Sequence, residues 1–372
     1  MSFPQRLIKA ASKARDAGRL DAAAQMLADE ALRTDPSIDT LHLRYVIELD
    51  RPAELIRALR ASIARVDGGG MPLDPPHLHH LLYHSEDACL SPDAIERLLK
   101  VIAAVAADAP DLNKALQAAR RRQRFRRLFS ERLLGAPALI SLGLNCMPWS
   151  VFNRWGARSE QDFVRLATPF SAGVHKLKAV VRALDSDFVD YFHPSAVRTV
   201  ESGKGHNIAL RTDLTVTWNH HRGTYWLADE FAALRASLDV KIENFRQACR
   251  SENAVFLIGK SPINYPAQPV AFLPNLNASL QRYTGKAQNR LILFNEFADT
   301  AAVHQLDAFS LVVNCPYPTS AYVWSDIDTL NAPEGLGYEH EGVATTTRAL
   351  LNWGLLARPS GTAVAQALRA VG

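Results

Sequence analysis

The stretch Ala138 to Ser150 reads ALISLGLNCMPWS and sets a cysteine where a thiol can do chemistry. Cys146 follows Gly143-Leu144-Asn145, which breaks the short apolar run Ala138 to Leu142. Pro148 suits a first helical turn, so the spacing predicts a strand, a turn and a helix from Met147 to Trp155. A thiol on that turn meets the unpaired N–H groups and positive end of the helix. Such a setting favours the thiolate, the form that attacks a carbonyl carbon. The competing reading is a buried cysteine that packs as a small apolar residue.

Positioning this thiol is the task of the segment 135–372. Apolar runs at Leu214–Trp218, Ala254–Ile258, Arg290–Phe294 and Phe309–Val313 join Ala138–Leu142 as expected strands. Helical spacing marks Val174–Ser186, Ala228–Arg250, Leu276–Tyr283 and Gly342–Val371. The alternation predicts an α/β domain with a doubly wound, mainly parallel sheet. In such sheets ligands bind at the carboxyl ends of strands. Those ends carry Asn145-Cys146, Asn219-His220-His221, Lys260-Ser261, Asn295-Glu296 and Asn314-Cys315. Cys146 is the expected nucleophile and His220 its base. The Gly143–Asn145 turn, the Met147 N–H and the Asn145 amide are candidate donors to an oxyanion. Lys260, Ser261, Asn295 and Asn314 are candidate ligand contacts. Glu296 and Asp326 are either orienting acids for an imidazole or ordinary surface acids.

The chain has 372 residues, 48% hydrophobic and 22% charged, with a net charge of +4. That is the make-up of a globular protein, and its length predicts two domains. Cys89, Cys146, Cys249 and Cys315 contain no CxxC pair, which argues against a zinc ribbon or a disulfide framework. No apolar run reaches membrane-spanning length and the N-terminus lacks a signal-peptide core. The expectation is a cytoplasmic protein with no transmembrane segment.

Residues 1–134 read as a helical domain. Gln5–Ala17 and Leu20–Arg33, parted by Gly18, form a helix pair with Ala23, Ala24, Ala28 and Ala31 as small packing residues; this resembles one tetratricopeptide unit. A helical-hairpin array would offer a face to a protein partner. His77, His80 and His84 share one helical face at metal-ligand spacing, but no clear acid or cysteine joins them, so they read as packing and surface residues and no metal is expected. The run Arg120 to Arg127, with Arg132, holds seven arginines. Nucleic acid is disfavoured as its partner, because no aromatic residues are interleaved as in a nucleic-acid groove. The favoured reading is a solvated helix joining the domains and pairing with acids of the helical layer.

With these residues assembled, Leu139 to Lys260 resembles an uncharacterised bacterial family labelled papain-like cysteine peptidase. The resemblance rests on Ile140-Ser141-Leu142-Gly143-Leu144-Asn145-Cys146, Thr168-Pro169-Phe170, Leu184 to Phe192, Trp218-Asn219-His220, Lys241 to Phe245 and Val255 to Ile258. It implies a Cys146–His220 pair. Ser171-Ala172 and His221 stand where the family pattern has Asp-Trp and Asp, which leaves the orienting acid open. A nucleophile on the turn after the first strand is also similar to the SGNH hydrolases and to polysaccharide-biosynthesis acyltransferases that use coenzyme A. In that layout a C-terminal histidine serves as base, and His340 is the candidate. His221 is a further alternative.

Two functions follow as expectations. One is a cysteine-dependent acyl-transfer enzyme, hydrolase or coenzyme A-dependent acyltransferase, acting on a small-molecule or glycan substrate in cell-envelope polysaccharide metabolism. The other is a non-catalytic module that binds an anionic glycan or nucleotide-sugar through Arg120–Arg127 and Lys260, with a partner docked on the helical domain.

Overall fold

Proline sets the rhythm of the first 130 residues. In the computed structural model, which describes residues 2–134, 137–171, 173–202, 207–260, 272–319 and 322–357, seven helices open the chain. They are α1 (Phe3–Asp16), α2 (Leu20–Met26), α3 (Pro36–Glu48), α4 (Pro52–Asp67), α5 (Pro75–Asp87), α6 (Pro92–Ala103) and α7 (Pro110–Arg132). All but α2 carry proline in the first turn, where its missing N–H costs nothing. Asp35, Asp74 and Ser91 stand before three of these prolines and accept N–H bonds from the first turn. The expected second helix stops at Met26 rather than Arg33. The chain instead makes a 3₁₀ turn, which swings Arg33 inward to bond Asp39 at 2.8 Å and Ser62 at 3.2 Å.

The rest is a mixed α/β region. Its elements are β1 (Leu139–Ser141), α8 (Met147–Arg154), α9 (Glu160–Arg165), β2 (Val174–His175), α10 (Leu177–Asp185), β3 (Val197–Glu201), β4 (Asn207–Arg211) and β5 (Val216–Arg222). There follow α11 (Thr224–Leu227), α12 (Ala232–Cys249), β6 (Val255–Lys260), α13 (Leu273–Thr284), β7 (Arg290–Asn295), β8 (Ala302–Asp307), β9 (Ser310–Asn314), α14 (Ile327–Leu330) and α15 (Pro333–Asn352). One sheet runs β1-β6-β7-β9-β8, parallel except for β8 at its edge. Both faces are buried. Ile140, Phe256 and Leu293 point into one core, Leu139, Leu257 and Phe294 into another, in strict alternation. The free edge of β1 is closed by Arg158, which donates to the Leu139 carbonyl at 2.9 and 2.7 Å.

The expected strand Leu214–Trp218 does not join this sheet. It is β5, in a separate antiparallel sheet ordered β2-β5-β4-β3. Val216, Trp218 and His221 face inward while His220 and Arg222 face out, the one-sided burial of an antiparallel strand. The expected helix Val174–Ser186 starts only at Leu177, because Val174-His175 pair with β5. Likewise α12 starts at Ala232, since Asp229, Glu230 and Phe231 adopt left-handed φ of 48°, 53° and 65°. Residues 358–371 of the expected final helix lie outside the described residues.

The helical region is a wall of the α/β region. One core runs from Leu43 and Leu59 through Leu98 to Trp218 and Leu293. Four polar contacts pin the corner between α3 and α4 to β5, α11 and α12. Asp50 accepts from His221 Nε2 at 3.0 Å, from Ser237 at 2.8 Å and from Lys241, and the Trp226 indole donates to the Glu48 carbonyl at 3.0 Å. Among the described residues no helix is long and apolar enough to cross a membrane.

Candidate active site

The turn after β1 holds two successive left-handed residues, Gly143 (φ 79°) and Leu144 (φ 60°). A side chain at Gly143 would come 3.2 Å from His175 Nδ1 and 3.4 Å from Phe170, so the glycine is sterically required. Leu144 adopts this conformation without that licence, at some cost in backbone energy. Its side chain is buried and its carbonyl accepts the His175 N–H at 3.4 Å. Asn145 then closes the turn, its Oδ1 accepting the Met147 N–H at 3.0 Å. Asn145 lies so close to β6 that a Cβ on Gly259 would reach 2.7 Å from that oxygen. Cys146 is thereby the N-cap of α8, and its carbonyl accepts from Trp149 and Ser150.

Behind the turn stand the other segments that carry the family resemblance. Phe170, Phe188, Tyr191, Trp218 and Phe245 form one aromatic cluster with ring centroids 5.4 to 6.1 Å apart. His175 packs into it and shares a 2.6 Å hydrogen bond with the Tyr191 hydroxyl. Burial pushes this imidazole down to about 3, so it is neutral and structural. Ser171, in the first of the two departures from the family pattern, bonds Thr168 at 3.1 Å and supports the same turn; Ala172 lies outside the described residues.

The sulfur has a partner that the sequence does not announce. The Trp324 indole N–H donates to Cys146 Sγ at 3.1 Å. Burial nevertheless raises the thiol above its ordinary value, with the Trp324 bond only partly offsetting this. The resting group is the thiol, not the expected thiolate: desolvation outweighs the helix end. Cys249 is pushed up to about 12 by burial, and Cys89 and Cys315 higher still. No hydrogen bond joins Cys146 to His220 among the described residues. The charges felt at the sulfur are Asp87 and Glu296.

A cleft of about 350 Å³ opens between α3, α4 and α5 on one side and α8 and β5 on the other. Trp149 and Ser150 from the first turns of α8 line it, as does Ser325, the neighbour of Trp324. Tyr83 and Asp87 of α5 face them, one turn apart, and Tyr83 also feels the charge of Cys146. Asp87 Oδ1 is buried without a hydrogen-bond partner among the described residues. Burial, opposed by Arg154 and reinforced by Glu339 and Glu86, raises its carboxyl to about 6. Asn145 Nδ2 is a second orphan, a donor on a residue only 1% exposed. An acid whose charge reaches the sulfur and an amide on the residue before it thus both keep an atom without a hydrogen-bond partner among the described residues.

The remaining candidates divide between two places. Four of the five expected strand ends do share one edge of the parallel sheet. Asn295 and Asn314 face each other in register and bond at 2.9 Å, while Glu296 accepts from Tyr338 at 2.7 Å. Lys260 ends β6, but its side chain and Ser261 lie outside the described residues. The fifth end, Asn219-His220-His221, falls within β5 on the other sheet. His220 lines the cleft, an exposed residue whose imidazole nevertheless lies below its ordinary pKa through the desolvation of its surroundings and then through His221 and Arg222. His221 is buried and bonds Asp50 instead. His340, on α15, packs between the rings of Phe125 and Trp155. Asp326 begins the turn leading into α14, two residues beyond Trp324.

The arginine run is only half solvated. Arg122 and Arg126 are buried and hold Glu86 at 2.6 and 3.3 Å, whereas Arg121, Arg124 and Arg127 face out. His77 bonds Thr40 at 2.8 Å, and His80 packs edge-on against His84. Among the described residues no group of three or more His, Cys, Asp or Glu is placed to hold a metal ion. Sequence reading missed Asp87 and Trp324. The only cue to Asp87 is its place one turn after Tyr83 on the histidine-rich helix.

No family model, no curated protein and no solved structure matches the chain.

Proposed function

We propose that the protein is a thiol-dependent acyl-transfer enzyme, with Cys146 as nucleophile and Asp87, rather than His220, as proton acceptor. What supports this is an acid near pKa 6 with an unpartnered oxygen, whose charge is felt at the Cys146 sulfur, together with an unpartnered amide donor on the preceding residue. In the acylation step the Sγ–H proton passes to the Asp87 carboxylate as sulfur bonds the acyl carbon. The carbonyl oxygen, now negative, accepts from Asn145 Nδ2. Collapse expels the leaving group, which takes the proton from Asp87. Water or an acceptor hydroxyl then attacks the thioester by the reverse path. Trp324 supports negative charge on sulfur through its N–H. The Met147 N–H is already bonded to Asn145 Oδ1 and is not assigned to the oxyanion.

The papain-like and SGNH-like descriptions share the Cys146 nucleophile with this chemistry and differ from it in taking a histidine, His220 or His340, as base. A cleft of 350 Å³ is at the small end for ligand sites and leaves the nucleotide part of a coenzyme A outside. The binding-module reading keeps the exposed Arg120, Arg121, Arg124 and Arg127 but not Arg122 and Arg126, which are spent on Glu86. The test is a stopped-flow burst with p-nitrophenyl acetate followed by intact-mass and peptide mapping. One equivalent of nitrophenol and an acyl group on Cys146 are expected, both lost in Cys146→Ala. A burst that survives in Cys146→Ala, or an acyl group on another residue, overturns the proposal.

A further inference from the structure

The charges around the cleft nearly all cancel within the protein. Arg15 is held by Glu48 through two bonds of 3.0 and 3.1 Å, and by Asp16 at 3.2 Å. Arg51 is paired with Asp21 and sits near Glu54. Asp50 accepts from His221, Ser237 and Lys241. His84 and His220 both lie below their ordinary pKa through desolvation, so neither carries charge at neutral pH. Arg222 differs. Its Nε donates to the Asn219 carbonyl at 2.7 Å, which fixes the guanidinium plane. Its two terminal nitrogens have no carboxylate partner among the described residues. The residue is exposed and lines the cleft together with His220 and Trp226. The unbalanced charges of the cleft are therefore Arg222 and the acid Asp87, with Trp149, Phe163 and Trp226 as apolar wall between the polar groups.

A guanidinium anchored through Nε still offers its two terminal nitrogens as one bidentate edge, the standard partner for a carboxylate or phosphate. The cleft is too small for a long chain, and Arg15, Glu48, Asp50 and Arg51 are paired within the protein, so the remainder of the ligand is short and uncharged. We infer that the cleft takes a short acyl compound bearing one anionic group, which Arg222 holds while the acyl carbon reaches toward Cys146. This rests on the acyl-transfer reading for the direction in which the ligand lies, but the anion site itself is independent of it.

The experiment is calorimetric titration of the full chain and of Cys146→Ala with three probes: monomethyl succinate, methyl phosphate and the neutral dimethyl succinate. Monomethyl succinate or methyl phosphate should bind both proteins about tenfold more tightly than the neutral diester. The stronger of the two identifies carboxylate or phosphate as the natural group. Arg222→Gln, checked for an unchanged melting temperature, should erase the preference, and Arg222→Lys should restore part of it. Equal affinity for charged and neutral probes, no binding at millimolar concentration, or a preference that survives Arg222→Gln overturns the inference. Retained anion preference in a protein that never acylates Cys146 removes the enzyme reading and leaves the site. Acylation of Cys146 by neutral esters with no preference does the reverse.

Discussion

Glu86 and Asp87 are consecutive acids on α5 with opposite fates. Glu86 turns into the seam with α7, where Arg122 and Arg126 hold it and lower its pKa against the pull of burial. Asp87 turns toward the cleft, keeps one oxygen without a partner and is raised to about 6. The nearby Arg154–Glu339 pair, at 2.9 Å with both side chains fully buried, follows the Glu86 pattern, with Trp155 and Tyr322 completing the bonds to Glu339. Of these three acids, Glu86 and Glu339 are answered by arginines, and Asp87, which lines the cleft, has no arginine bonded to it among the described residues.

Breaking the paired side of this comparison has the largest expected effect. Glu86→Ala strands two buried guanidinium groups and should lower unfolding stability by about 3–5 kcal/mol, measured by urea denaturation. Asp87→Asn should do the opposite. The folded pKa of about 6 exceeds the ordinary 3.8, so the stabilising proton is bound at low pH and lost as pH rises through 6. At pH 7 the charged carboxylate costs roughly 2–3 kcal/mol, which Asn removes while abolishing acyl transfer. A destabilised Asp87→Asn would place Asp87 with the structural acids. In the active protein, acylation of Cys146 should rise with pH through a midpoint near 6, as Asp87 becomes a base; a flat profile from pH 5 to 8 removes that role. Trp324→Phe should slow iodoacetamide alkylation of Cys146 about tenfold by deleting the N–H on sulfur, and in the parent protein Cys146 should alkylate before Cys249. The smallest effect belongs to Arg127→Ala. Its contacts to Asp93 and Glu96 are both 3.8 Å and exposed, and it should change stability by less than about 0.5 kcal/mol.

Local signals carried the reading a long way. The helical character of the first 134 residues, the apolar runs of β1, β6, β7 and β9, and the glycine turn before Cys146 are short-range patterns, and the structure has them. What stayed hidden depends on distance along the chain. Trp324 reaches Cys146 across 178 positions, and Glu86 meets Arg122 across 36, so neither burial of the arginines nor the sulfur's donor is visible locally. The second sheet was missed because β3 is largely exposed, β2 is two residues long and the apolar run of β4 is only three, Ile208 to Leu210. His220 and His221 illustrate register. Adjacent strand residues point to opposite faces, and the one expected to serve Cys146 opens to the cleft, while its neighbour pins Asp50.

The cleft is lined by Asp87 from the first 130 residues and by Trp149 and Ser150, on the helix that Cys146 caps, from the remainder. Neither portion of the polypeptide owns the chemistry proposed for it, so a chain divided between the two would hold an acid without a sulfur and a sulfur without an acid. Reactivity in such a divided protein would follow the concentration of the reassembled pair, as it does for an enzyme shared between subunits.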